Sequence, residues 1–215
     1  MTTYKINKRY VTEVERTSRV LEIAESFGLG LDSKEFVVFD NVEVEIKQGD
    51  VVYINGQSGS GKSTALRELK RLMIEEGLRV ADIDEVEMRE VPLTDQIGES
   101  TNRGLNLLGL AGINDAFLYC RKPSELSDGQ RYRFKLAKLI ESKAQVWVAD
   151  EFLAVLDRES AKTIAYRLQS VARIAGATLI VATTHTDMVD DLAPDITIEK
   201  MFRAKINIEY KHESK

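Results

Sequence analysis

The sequence predicts an α/β fold: a P-loop core built on a mainly parallel sheet. Three observations predict it. Residues 51–76 read as an apolar strand, a glycine-rich loop and an amphipathic helix. Strand-like and helix-like segments then alternate along the chain. The later strands are continuous apolar runs, as in a sheet covered on both faces. At 215 residues, 43% of them apolar and 30% charged, the chain is long enough to bury a full core and polar enough to remain soluble as one domain.

Taken in order, the first segments, near 20–26 and 36–46, alternate polar and apolar residues, as in an antiparallel β-layer. Val38, Asp40, Val42, Val44 and Ile46 carry part of that alternation. Val51-Val52-Tyr53-Ile54-Asn55 is the next strand. A helix over 62–76 places Leu66, Leu69, Leu72 and Met73 on one face. Strands follow near 79–83, 145–150, 178–183 and 195–199. Further helices fall near 128–142, 158–174 and 186–192. The tail, Ile196 to Glu199 and Lys205 to Tyr210, reads as a closing β-hairpin.

The loop between the strand ending at Asn55 and the helix carries the clearest chemistry. Gly56, Gln57, Ser58, Gly59, Ser60, Gly61, Lys62, Ser63 and Thr64 satisfy the pattern G-x-x-x-x-G-K-[ST]. Its glycines let backbone N–H groups fold around a phosphate at a helix N-terminus. Lys62 would reach the β- and γ-phosphates, and Ser63 would offer its hydroxyl to Mg²⁺.

Leu126-Ser127-Asp128-Gly129-Gln130 stands before the helix at 128–142. It resembles the signature motif of the ABC-type ATPases, usually L-S-G-G-Q, with Asp128 in place of the first glycine. As a helix N-terminus, Ser127, Gly129 and Gln130 would face an anion. The family uses this motif in trans, against the γ-phosphate held by a second subunit. Val146-Trp147-Val148-Ala149-Asp150-Glu151 matches the Walker B pattern. Asp150 would hold the Mg²⁺ shell, and Glu151 would act as general base toward water. Ala154-Val155-Leu156-Asp157 resembles the D-loop, which touches the partner subunit. His185, after the apolar strand Leu179 to Thr183, stands where the family places its switch histidine. Gln96 resembles the Q-loop glutamine, which senses Mg²⁺ and γ-phosphate. An adenine-stacking aromatic is expected upstream of the P-loop. Phe27, before Gly28, fits that place and equally suits a core position; Phe36 is the alternative. The resemblance also implies the antiparallel β-layer and a small helical subdomain over about 97–140.

Composition and spacing narrow the function. Net charge is −5, so no overall basic field favours nucleic acid. Arg131, Arg133, Lys135 and Lys138 read as a solvated or dimer-facing surface, and Lys200, Arg203 and Lys205 of the tail carry no more weight. The single cysteine, Cys120, excludes an intramolecular disulfide and a cysteine-based zinc site and points to a reducing, cytoplasmic setting. No membrane span and no signal peptide are expected. Only 64 residues separate Lys62 from Ser127, too few for the coiled coil of an SMC-like or break-repair ATPase. One P-loop and one signature argue against a tandem translation-factor ATPase. Only 29 residues lie between Gln96 and Leu126, short for docking a membrane subunit.

The flanks, Arg19 to Leu31, Asp40 to Glu43 and Leu126 to Arg133, resemble a group of soluble ABC ATPases often fused to an acetyltransferase-like domain. The resemblance implies an ATP- and Mg²⁺-dependent ATPase that closes as a head-to-tail homodimer. The expected role is a soluble, non-transport switch, its partner an unknown soluble protein or an acetyltransferase-like one. The alternative is the nucleotide-binding subunit of a transporter with a separately encoded permease.

Overall fold

The computed structural model describes residues 1–201 and 205–211. Two sheets organise them. β1 (Thr2–Thr12) and β2 (Lys34–Ile46) form an antiparallel ribbon. A six-stranded sheet has the order β4-β5-β6-β3-β7-β8. Its strands are β3 (Val51–Asn55), β4 (Val80–Asp82), β5 (Val146–Ala149), β6 (Thr178–Ala182), β7 (Ile196–Lys200) and β8 (Ile206–Tyr210). The first five are parallel; β8 pairs antiparallel with β7, with Ile198 opposite Ile208. The expected hairpin is therefore present.

The reason for the apolar runs is visible in the packing. Alternate residues of the central strands enter two different cores. Tyr53, Trp147, Ala149, Leu179 and Val181 pack toward α3 (Thr101–Leu110), α5 (Asp128–Glu141) and α6 (Arg158–Ala175). Val52, Ile54, Val148, Ile180 and Ala182 pack toward α2 (Lys62–Glu75) and the ribbon residues Tyr4, Ile6, Phe39 and Val44. No strand face is left for polar residues, so period-2 alternation disappears.

The first strand expected from sequence is a helix. Residues 20–26 lie within α1 (Ser18–Phe27), which connects β1 to β2. Thr17 caps its start by accepting the Val20 N–H, and Gly28 ends it at φ 62°. Leu21 and Ile23 imitate strand alternation, yet both are exposed and only Ala24 is buried. These local caps, rather than any burial pattern, decide the helix. The true partner of β2 is β1, where only Tyr4 and Ile6 are buried and charged residues dilute the period. The helix expected over 186–192 is reduced to α7 (Val189–Leu192). A short α4 (Ala116–Tyr119) follows α3 on the way to α5.

Several basic residues expected on a solvated or dimer-facing surface are half-buried and bonded within the chain. Arg131 donates to the Leu126 carbonyl at 2.8 Å, Arg133 to the Gly112 carbonyl at 3.1 Å and Lys138 to the Gln96 carbonyl at 2.8 Å. They hold the helical region together, since their half-buried heads find carbonyl acceptors there. Lys200 is fully buried, with its ammonium 5.2 Å from the centre of the Phe39 ring and donating to the Met201 carbonyl. Arg203 lies outside the described residues. Among described residues, no helix is long and apolar enough to cross a membrane.

Candidate active site

β3 is the point where the sheet's order turns: β6, β5 and β4 lie to one side and β7 to the other. Clefts in open α/β sheets form at the carboxyl ends of strands beside such a point. Here the loops after β3, β5 and β6 meet around a cleft of about 620 Å³.

The loop after β3 turns through glycine conformations that its neighbours enforce. Gly56 has φ 141°, and a Cβ on it would overlap the backbone carbonyl of Lys200. Gly61 has φ 105°, and its Cβ would lie 2.8 Å from Val38 Cγ1 of β2. Gly61 begins α2 with no side-chain cap, so the first N–H groups of that helix are left for another acceptor. Ser58, Gly59, Gly61, Lys62, Ser63 and Thr64 line the cleft. The Ser60 hydroxyl is buried without a hydrogen-bond partner among the described residues. Lys62 is buried and donates to the Gln57 carbonyl at 2.8 Å, bridging the loop. Burial lowers its ammonium pKa, and the charges of Asp150 and Glu151 oppose that shift.

Asp150 and Glu151 face this loop across the cleft. Glu151 is exposed, has φ 44°, and donates its N–H to Asp150 Oδ1 at 3.0 Å. Beyond β6, Thr183 and Thr184 reach the cleft, and His185 is the next residue. The His185 N–H donates to Thr183 Oγ1 at 3.2 Å, and the buried Tyr53 hydroxyl donates to the His185 carbonyl. Desolvation pushes the Tyr53 phenol up to about 12, which keeps it a donor. The backbone around His185 is thus held by the sheet.

The donor set suits a hard divalent cation. The Ser63 hydroxyl and Asp150 carboxylate share the cleft, and both are oxygen ligands. No cluster of three acidic, histidine or cysteine residues among those described could cage a metal alone.

Other residues singled out from sequence lie elsewhere. Gln96 is buried, but its side chain is committed to the 89–91 backbone. It accepts the Arg89 N–H at 2.9 Å and donates to the Arg89 and Val91 carbonyls at 2.9 and 2.8 Å. The structure does not bring it into the cleft lining. Ser127, Gly129 and Gln130 open α5 away from the cleft. Ser127 and Gln130 form a capping box, with Ser127 Oγ accepting the Gln130 N–H and Gln130 Oε1 accepting the Ser127 N–H at 2.9 Å. Asp128 pairs with Arg131 one turn on, which offsets the charge it brings to the signature. Asp157 caps α6 by accepting the Ser160 N–H at 2.9 Å.

Phe27, 75% exposed at the end of α1, is absent from the cleft lining. Phe36, 48% exposed, is also absent from the cleft lining, but it lies two residues before Val38 on the strand that touches Gly61. Positions two apart on a strand share a face, so Phe36 stands on the same side of the ribbon as Val38. Sequence reasoning passed over Arg67, which lines the cleft one turn after Ser63. Its i,i+4 spacing from Ser63 was the available signal.

Comparison with known proteins bears on the family and the fold. The ABC transporter family profile matches residues 39–96. The cytochrome c biogenesis ATP-binding export protein of Vibrio parahaemolyticus is 30% identical over 73% of this chain and 89% of its own length. A methionine import ATP-binding protein of Oenococcus oeni is 25% identical over 77% of this chain, which spans 57% of that relative. Among solved structures, a dimeric ATP-binding cassette in a post-hydrolysis state, bound to ADP and Pi, superposes with a TM-score of 0.68 at 17% identity. That match covers 99% of this chain and 100% of the other and concerns the fold.

Proposed function

The chain belongs to the ABC transporter ATPase family, and from that premise we propose that it is the ATP-hydrolysing subunit of an ABC system whose permease is a separate chain. ATP and Mg²⁺ are its ligands, and ATP hydrolysis is its reaction. One observation carries the site: the P-loop and the Asp150–Glu151 pair face each other across a single cleft.

The residue roles follow from that placement. The N–H groups of Gly59 to Ser63 and the Lys62 ammonium hold the β- and γ-phosphates. Ser63 and Asp150 would hold Mg²⁺, which would supply positive charge beside the phosphate oxygens. Glu151, exposed at the cleft's edge, accepts a proton from the attacking water. His185 follows the cleft residue Thr184 without lining the cleft itself, and its role of orienting that water rests on the family resemblance. Phe36 is favoured over Phe27 for stacking on the base. Gln96 would have to leave its present hydrogen bonds to reach the metal.

Ser127, Gly129 and Gln130 do not line the chain's own cleft, which supports their use against a second copy. A head-to-tail homodimer with two composite sites is the consequence. The names of the relatives, an import and an export ATP-binding protein, support the transporter reading over the non-transport switch expected from sequence. One observation still favours the switch: the segment between Gln96 and Leu126 is short, with α4 only four residues long. An acetyltransferase-like partner keeps only the resemblance of the flanks as support.

Glu151→Gln tests the reading. Removing a general base lowers kcat by about 100-fold or more. MgATP binding persists, and the dimer accumulates in light scattering. Hydrolysis at the wild-type rate would sink the base assignment. A pull-down with this variant in MgATP separates the two roles: a retained multi-span membrane protein supports the transporter, and a soluble partner alone supports the switch.

A further inference from the structure

The start of α5 is locked to the loop after β5 within one chain. Gly129 packs against that loop, where a Cβ would lie 3.0 Å from Leu156 Cδ2 and 3.6 Å from the Val155 carbonyl oxygen. Three residues on, the Tyr132 hydroxyl accepts the Leu153 N–H at 3.1 Å. Arg133, the next residue, donates to Ser160 Oγ at 2.9 Å in the first turn of α6. Positions i, i+3 and i+4 share one helix face, so a single face of α5 holds the whole segment from 153 to 160.

That segment needs holding. Glu151 at φ 44° and Leu153 at φ 61° occupy the left-handed region, which side chains other than glycine resist. Such a turn persists only where its surroundings impose it. Two hydrogen bonds donated by its backbone N–H groups to neighbouring elements do so. The Phe152 N–H donates to the Ala182 carbonyl of β6 at 2.8 Å, and the Leu153 N–H donates to Tyr132. The first ties the turn to the sheet. The second ties it to the helix that opens with the signature. Leu153 is fully buried, so its N–H has no easy substitute partner in water. Burial also raises the Tyr132 phenol, which remains neutral.

We propose that Tyr132 is a positioning residue for hydrolysis: by accepting the Leu153 N–H it fixes the strained turn that presents Glu151, and so couples the signature helix to the chain's own base. This rests on the reading of Glu151 as base and of the signature as part of the partner's site. In the head-to-tail dimer, engagement of Ser127 and Gly129 at one nucleotide then sets the base at the other. Tyr132 touches neither nucleotide and acts through the turn alone.

Tyr132→Phe keeps the ring and removes the acceptor. The expected result is a kcat lower by about tenfold, the scale of one buried donor left unpaired. KM for MgATP stays within about twofold, because the P-loop is untouched. Amide exchange speeds up at Leu153 while Phe152 stays protected. An unchanged kcat, or a fall in kcat matched by an equal loss of folded protein, would overturn the proposal. Should the variant fail to fold, wild-type exchange decides: a slow Leu153 amide supports the link and a fast one refutes it. A wild-type chain that does not hydrolyse ATP would overturn the underlying reading, visible in the first assay.

Discussion

The phosphate end of the cleft and the ribbon beside it are built by opposite means. The phosphate end is nine consecutive residues seated on β3 and α2, with Val51 to Ile54, Ala65, Leu66 and Leu69 buried beneath them. The ribbon has strands of 11 and 13 residues, and most of its side chains are exposed. Its Tyr4, Ile6, Phe39 and Val44 share a core with α2, and polar side chains at the rim add to that hold: Tyr4 bonds Glu76 just past the end of α2, and Lys8 pairs with Glu68 at 2.9 Å. Val38 is the ribbon's contact with Gly61. Packing is paid once for the whole sheet, whereas each staple stands alone. The phosphate end should therefore tolerate little change, and the ribbon should yield in small, separable steps.

The largest effect should come from the phosphate end. Lys62→Ala removes a buried cation from the phosphates and should weaken MgATP binding by about 100-fold or more. Calorimetric titration measures it, and undiminished affinity would break the contrast at its stronger side. A smaller effect is expected on the ribbon. Phe36→Ala should weaken ATP binding by about tenfold, the scale of one base–aromatic stack. Phe27→Ala should leave it unchanged, as its ring is exposed and outside the cleft lining. The reverse result would return the stacking role to Phe27.

The smallest effect concerns the staple. Burial acts to raise the Glu68 carboxyl, but Lys8 and Arg71 together outweigh it and hold it below the ordinary value of 4.5. A depressed carboxyl stabilises the fold above its unfolded pKa, and that contribution is lost as pH falls through the folded pKa. Glu68→Gln should lower the melting temperature slightly near neutrality. The difference should vanish on acidification below the ordinary carboxylate range. A difference that grew in acid would show that Lys8 and Arg71 do not govern this group.

The same contrast explains which parts were legible in the sequence. The core strands announced themselves because both faces are covered, so Val146 to Ala149 and Leu179 to Ala182 are unbroken apolar runs. The ribbon did not, because exposure removes the pressure that makes a pattern. β1 shows only Tyr4 and Ile6, and α1 buries Ala24 alone. Helix caps at Thr17 and Gly28 were present in the sequence and were the better guide there.

By itself the sequence determined the phosphate loop, the adjacent acids and the helices and strands that carry them. Each depends on short-range chemistry: glycines at positive φ, a lysine at fixed spacing, apolar runs ending in carboxylates. Only the tertiary structure decided that β1 completes the ribbon, that Gln96 is spent on residues 89–91, and that Tyr132 holds the turn behind Glu151. Those outcomes pair groups far apart in the chain, or choose among several acceptors within reach. Local propensity cannot rank such choices, because burial and hydrogen-bond geometry settle them only after the chain has packed.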